Sequence, residues 1–118
     1  MGTWRVWNKY TSPESKVYFI NGVASHAVSD NPSFEIYSVI LTPGQDCDIT
    51  IDPAILPGTT LTFADETGIA NAIAAPLGQR IRITDLFNPI DGNLIYEITT
   101  NYGSVTIYKS PFGRWKII

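Results

Sequence analysis

Apolar side chains in this chain recur at every second position, and Pro and Gly cut the runs short. In Asp48-Ile-Thr-Ile-Asp52, Ile49 and Ile51 share one face. Residues 59–64 place Leu61 and Phe63 together, and residues 80–84 do the same for Ile81 and Ile83. Leu94, Tyr96 and Ile98 alternate with Ile95, Glu97 and Thr99. Near the end, Val105 and Ile107 alternate with Thr106 and Tyr108, then Trp115 and Ile117 alternate with Arg114 and Lys116. A period of two puts successive side chains on opposite faces of a strand. No stretch keeps a 3.6-residue apolar period over helical length. The corners Pro43-Gly44, Pro57-Gly58, Asn88-Pro89, Asp91-Gly92 and Ser110-Pro111-Phe112-Gly113 separate the runs. Residues 34–42 are apolar on both faces, with Ile36 and Ile40 on one and Tyr37, Val39 and Leu41 on the other, as in a strand covered from both sides.

The pattern predicts an all-β fold, a small antiparallel sandwich or barrel of about seven to nine short strands. At 118 residues the chain makes one domain with a modest core. The Pro-Gly corners hint at internal repeats of irregular period. Residues 71–77 are Ala-rich and fit either one helical turn or an irregular crossing. A strand at the very end of a chain needs a sheet or a neighbouring subunit to hold it.

Composition narrows the function classes. Charged residues make up 16% of the chain and the net charge is −3, which argues against a nucleic-acid binder with its basic footprint. No run approaches the roughly 20 apolar residues of a bilayer span, so no membrane insertion is expected. No secretory leader or myristoylation signal is read at the start. Cys47 is the one cysteine, which rules out an intrachain disulfide; between Asp46 and Asp48 its pKa is expected to rise, fitting a core residue and not a reactive thiol.

Residues 1–33 read differently from the rest. Trp4, Trp7, Tyr10, Tyr18 and Phe19 are interleaved with Arg5, Lys9 and Lys16. They suggest an aromatic-rich N-terminal arm or anchoring segment ahead of a β domain over 34–118. Residues 16–20 are its best strand, and Asn21-Gly22 has the chemistry of a tight hairpin turn into 23–28.

No catalytic constellation stands out. The single histidine, His26, follows Ser25, and adjacent strand residues point to opposite faces. Asp46, Asp48, Asp52, Asp65 and Glu66 are numerous enough to raise carboxylate-pair or calcium chemistry, but their spacing matches no calcium loop. Asp48 and Asp52 read as a solvated strand face, and residues 65–68 as a loop. No phosphate loop or metal-ligand spacing is present, so no enzyme, cofactor or metal is expected.

From about residue 36 onward the order of features resembles a module of bacteriophage virion proteins found in tail fibres, tailspikes and capsid-decorating proteins. The likeness lies in Asp48-Ile-Thr-Ile-Asp52, then Leu56-Pro57-Gly58-Thr59-Thr60-Leu61-Thr62-Phe63-Ala64-Asp65 with Gly68 and Ala70, then residues 80–83, then Asn101-Tyr102-Gly103-Ser104-Val105-Thr106-Ile107-Tyr108, closed by Trp115 and Ile117. The Ala-rich stretch 69–77 departs from it, since such modules more often carry an Asn- and Thr-rich loop there. The resemblance implies a non-enzymatic building block of the virion that decorates, caps or extends a head or tail and assembles as a homo-oligomer, with a homotrimer as first expectation because closed symmetry buries strand edges. The expected partners are copies of itself and other capsid or tail proteins. The alternative is a receptor- or glycan-binding tip module. Aromatics at both ends are the expected docking anchors: Trp4, Trp7 and Tyr10 on the arm, and Tyr102, Tyr108, Phe112 and Trp115 near the C-terminus.

Overall fold

The computed structural model describes residues 15–29, 34–73 and 76–118. They form nine strands and no helix: β1 (Ser15–Asn21), β2 (Ser25–Val28), β3 (Phe34–Ile40), β4 (Cys47–Ile51), β5 (Thr60–Asp65), β6 (Ile81–Asp85), β7 (Ile95–Ile98), β8 (Ser104–Lys109) and β9 (Trp115–Ile117). One sheet has the order β1-β3-β5-β8-β9 and the other β2-β4-β6-β7.

The all-β expectation holds, but the sheets are mixed and, among the described residues, no barrel closes. β1, β3 and β5 run parallel, and so do β2, β4 and β6. Only the later strands β7, β8 and β9 pair antiparallel. Over β1 to β6 the chain therefore winds as a flattened solenoid, each rung giving one strand to each sheet. The rungs are uneven, because residue 15 lies against 34 and 34 against 60. Alternation specifies which face a side chain takes but not which neighbour its strand pairs with, so it fits a parallel rung as well as a hairpin.

The expected hairpin at Asn21-Gly22 does not form. Gly22 has a positive φ of 67°, but it turns the chain from one sheet to the other, and its N–H donates to the Ile40 carbonyl in the next rung. A glycine free to take the left-handed region serves a corner as well as a tight turn. The arm expected over 1–33 lies partly outside the described residues; its described part supplies β1 and β2, which pair with β3 and β4.

One apolar cluster draws on both sheets. Ile49 and Ile51 of β4, Ile81 and Ile83 of β6, Leu61 and Phe63 of β5, Val105 and Ile107 of β8 and Trp115 of β9 all point into it. β3 contributes Tyr37 and Val39, while Ile36 and Ile40 on its outer face stay half-buried. Because parallel rungs stack like residues, Tyr18, Tyr37 and Phe63 form a ladder across β1, β3 and β5, with centroids 5.4 and 5.2 Å apart.

Aspartates end three successive strands in the same way. Asp52, Asp65 and Asp85 each accept a hydrogen bond from the backbone N–H two residues on, at Ala54, Thr67 and Phe87. Such a side chain mimics a backbone turn and folds the following loop. The Ala-rich crossing is irregular in its described residues. At Gly78 a Cβ would sit 2.1 Å from the Ile73 carbonyl oxygen, so only glycine fits.

Candidate docking surfaces

At one edge of the molecule the loop 86–94 and the turn 110–114 adjoin. Trp115 ties them together. Its indole Nε1 donates to Asp85 Oδ2 at 2.9 Å, its backbone N–H donates to the Pro89 carbonyl, and its carbonyl accepts from Asp91 N–H. Asp85 is itself buried and also accepts from the backbone of Phe87 and Asn88 and from the Asn88 amide. Ser110 Oγ accepts from the N–H groups of Phe112 and Arg114 and shapes the opposing turn. These bonds fix the backbone, yet the side chains at the crest face water: Phe112 is 83% exposed and Phe87 77%, with Leu86 and Leu94 also exposed. The Arg114 guanidinium lies 5.9 Å over the Phe112 ring.

The C-terminal residues expected to dock thus separate by position. Phe112 crowns this edge. Tyr102 is exposed with a φ of 58°, and its ring lies over Gly68, where a Cβ would collide with it. Tyr108 stands on the outer face of its sheet, opposite Thr60 and Lys116 in the register. Trp115 is wholly buried and works as a core pin; its ring offers no surface to a partner. Trp4, Trp7 and Tyr10 lie outside the described residues. Leu86 and Phe87 were missed because they break the alternation and read as plain loop; the signal available was an apolar pair between Asp85 and Asn88-Pro89, where a polar loop is usual.

The acidic residues serve the fold. Asp65 is buried and accepts from Thr67 N–H and hydroxyl and from the N–H groups of Gly68, Ala70 and Tyr102. Burial alone would raise its pKa, but these donors outweigh it and hold the carboxyl below the usual carboxylate range. The loop expected over 65–68 is therefore a locked one. Asp46 is held low mainly by hydrogen bonds from Arg80, burial opposing. Arg80 also reaches Glu97, and Arg82 reaches Glu97 and Asp48, giving a row of alternating charges across β4, β6 and β7. Asp48 is exposed on that outer face, as expected. Cys47 is buried, and desolvation with the Asp48 charge behind it pushes its thiol up to about 11. Lys109 is buried too, its ammonium donating to the Pro53 and Ile55 carbonyls at 2.8 and 2.6 Å.

At the opposite edge, β1 is the last strand of the stack among the described residues. Val17 and Phe19 on its outer face are 57% and 66% exposed, and Val23 at the corner is exposed as well. The last strand of the other end, β9, instead sends Trp115 into the core.

No protein-family model matches the chain, and no curated protein matches it in sequence.

Proposed function

We propose that this chain is a non-enzymatic structural module of a bacteriophage virion, docking on a head or tail as a decoration, capping or fibre element and assembling as a homotrimer. The observation that carries the docking reading is the crest of Leu86, Phe87 and Phe112, large apolar side chains in water on loops fixed by buried hydrogen bonds. Apolar groups displayed on a rigid backbone lose little freedom on association and bury well in a complementary surface. The virion setting rests on the likeness of residues 48–70 and 101–117 to virion modules. The row of charged pairs on the outer face of β4, β6 and β7 is spent internally, which leaves the apolar crest as the better candidate contact.

Two measurements test this. Light scattering on the full chain at micromolar concentration is expected to give the mass of a trimer; a clean monomer contradicts the assembly part. Labelled chain is then added to particles lacking it, as wild type and as the Phe87→Ser/Phe112→Ser variant. The account expects the variant to keep its β spectrum and to lose attachment by tenfold or more, in line with the cost of truncating anchor residues of about 2 kcal/mol. Undiminished attachment removes the crest from the interface.

A further inference from the structure

We infer that the crest of Leu86, Phe87 and Phe112 meets the same crest on other copies of this chain, so that the trimer closes through it, with Arg114 of each copy paired to Asp91 of the next. This rests on the docking reading above and names what the crest takes up, a second copy of the chain. The centre of the crest is apolar. Beside the two phenyl rings, Leu86 is 70% exposed and Leu94 77%. Large apolar side chains offer on the order of 150 Å2 each, so covering the crest withdraws roughly 500 Å2 of apolar surface per copy. That is near the upper end for a single patch on a monomer. With a polar rim around it, it reaches the ~800 Å2 that one partner gives to a specific interface.

The charges at the rim decide the occupant. Arg114 and Asp91 are both exposed and flank Trp115: Arg114 precedes it in the chain, and the Asp91 N–H donates to its carbonyl. Stacking on the Phe112 ring keeps the Arg114 guanidinium at the crest. Among the described residues neither charge enters an ion pair; the pairs join Arg80 and Arg82 to Asp46, Asp48 and Glu97 on the other sheet. Lys116 lies beyond, opposite Tyr108 on the outer face of β8 and β9. An acidic partner surface answers Arg114 and repels Asp91, and a basic one does the reverse. A copy of the same patch answers both, because symmetry brings the cation of one copy to the anion of the next. The backbone beneath is set by the bonds of Asp85, Pro89 and Ser110, so the two charges stand at a fixed spacing and little freedom is lost on pairing.

Light scattering on the full chain, followed by dilution from micromolar concentration, tests the pairing with no particle present. Phe87→Ser/Phe112→Ser is expected to run as a monomer with its β spectrum kept. Arg114→Glu alone is expected to weaken association by about tenfold or more, since it puts like charges face to face. Asp91→Asn, which suits the backbone φ of 49° there, is expected to weaken it severalfold. Arg114→Glu combined with Asp91→Lys exchanges the signs and is expected to recover association to within about threefold of wild type. A wild-type monomer, an unchanged mass in Phe87→Ser/Phe112→Ser, or a charge-exchanged chain no better than Arg114→Glu alone overturns the inference. If Phe87→Ser/Phe112→Ser stays trimeric yet no longer attaches to particles, the crest faces the particle and the docking reading stands without this inference. A crest-dependent trimer that does not attach strikes the docking reading alone.

Discussion

The two ends of the winding are finished in opposite ways. At the C-terminal end the direction of pairing reverses, and β8 and β9 close the sheet with Trp115 buried and bonded to Asp85. Polar groups there are answered from inside the chain: Asp65 by five donors, Asp85 by four, and the Lys109 ammonium by two carbonyls. At the β1 end Val17 and Phe19 face water, Tyr18 is half open, and the Glu35 acid lies at the bottom of a recess. A stack of rungs needs a cap at each end to stay soluble. The reversal of strand direction supplies the cap at the C-terminal end. The difference is that buried polar groups are answered by the chain itself near Trp115, while among the described residues β1 presents apolar side chains to water.

Substitutions sharpen that contrast. The largest loss is expected from Trp115→Ala, about 3–5 kcal/mol, because it empties the centre of the core and strips one donor from buried Asp85. Urea unfolding measures it; a cost under about 1 kcal/mol would mean that the closed end is not where the stability lies. Next comes Asp65→Ala, at about 2–4 kcal/mol, since it orphans the buried N–H of Ala70 along with those of Gly68 and Tyr102. The matched change Asp52→Ala, at an exposed turn of the same design, is expected to cost under about 1 kcal/mol.

Acid separates the same two aspartates. The folded pKa of Asp65 lies below its ordinary 3.8, so its contribution is full above that value and drains as pH falls through the lower folded one. Unfolding midpoints of wild type and Asp65→Asn are expected to converge below about pH 4 and to part above it. Parallel curves across that window would remove Asp65 from the acid response. The smallest effect belongs to the open end: Val17→Ser and Phe19→Ser are expected to change unfolding free energy by no more than about 0.5 kcal/mol, being exposed already. A loss of several kcal/mol from either would show that this end is covered in solution.

Much of the strand content was legible in the residues. β4, β5, β6 and β8 alternate cleanly, and each buries the side chains that the alternation assigns inward. Pairing was not legible. Ile49 and Ile51 name their face whether the next strand runs with them or against them, and Asn21-Gly22 has the same chemistry at a corner as in a hairpin. Trp115 shows a signal that was present but set aside: between Arg114 and Lys116, alternation alone puts it inward, although its ring chemistry suggested an anchor. Asp65 shows one that was absent. An acid before Glu-Thr-Gly reads as loop, and only its three-dimensional neighbours, above all the N–H of Tyr102, reveal it as the organiser of that loop.

The account stands on the parallel winding of β1, β3 and β5 against β2, β4 and β6. Interstrand nuclear Overhauser effects test it most directly. The winding predicts backbone contacts between Val17 and Ile36 and between Ala27 and Thr50, with none closing a ladder between β1 and β2. Cross-peaks joining Ile20 to Val23 and Phe19 to Ala24 in an antiparallel register would put a hairpin there and contradict it.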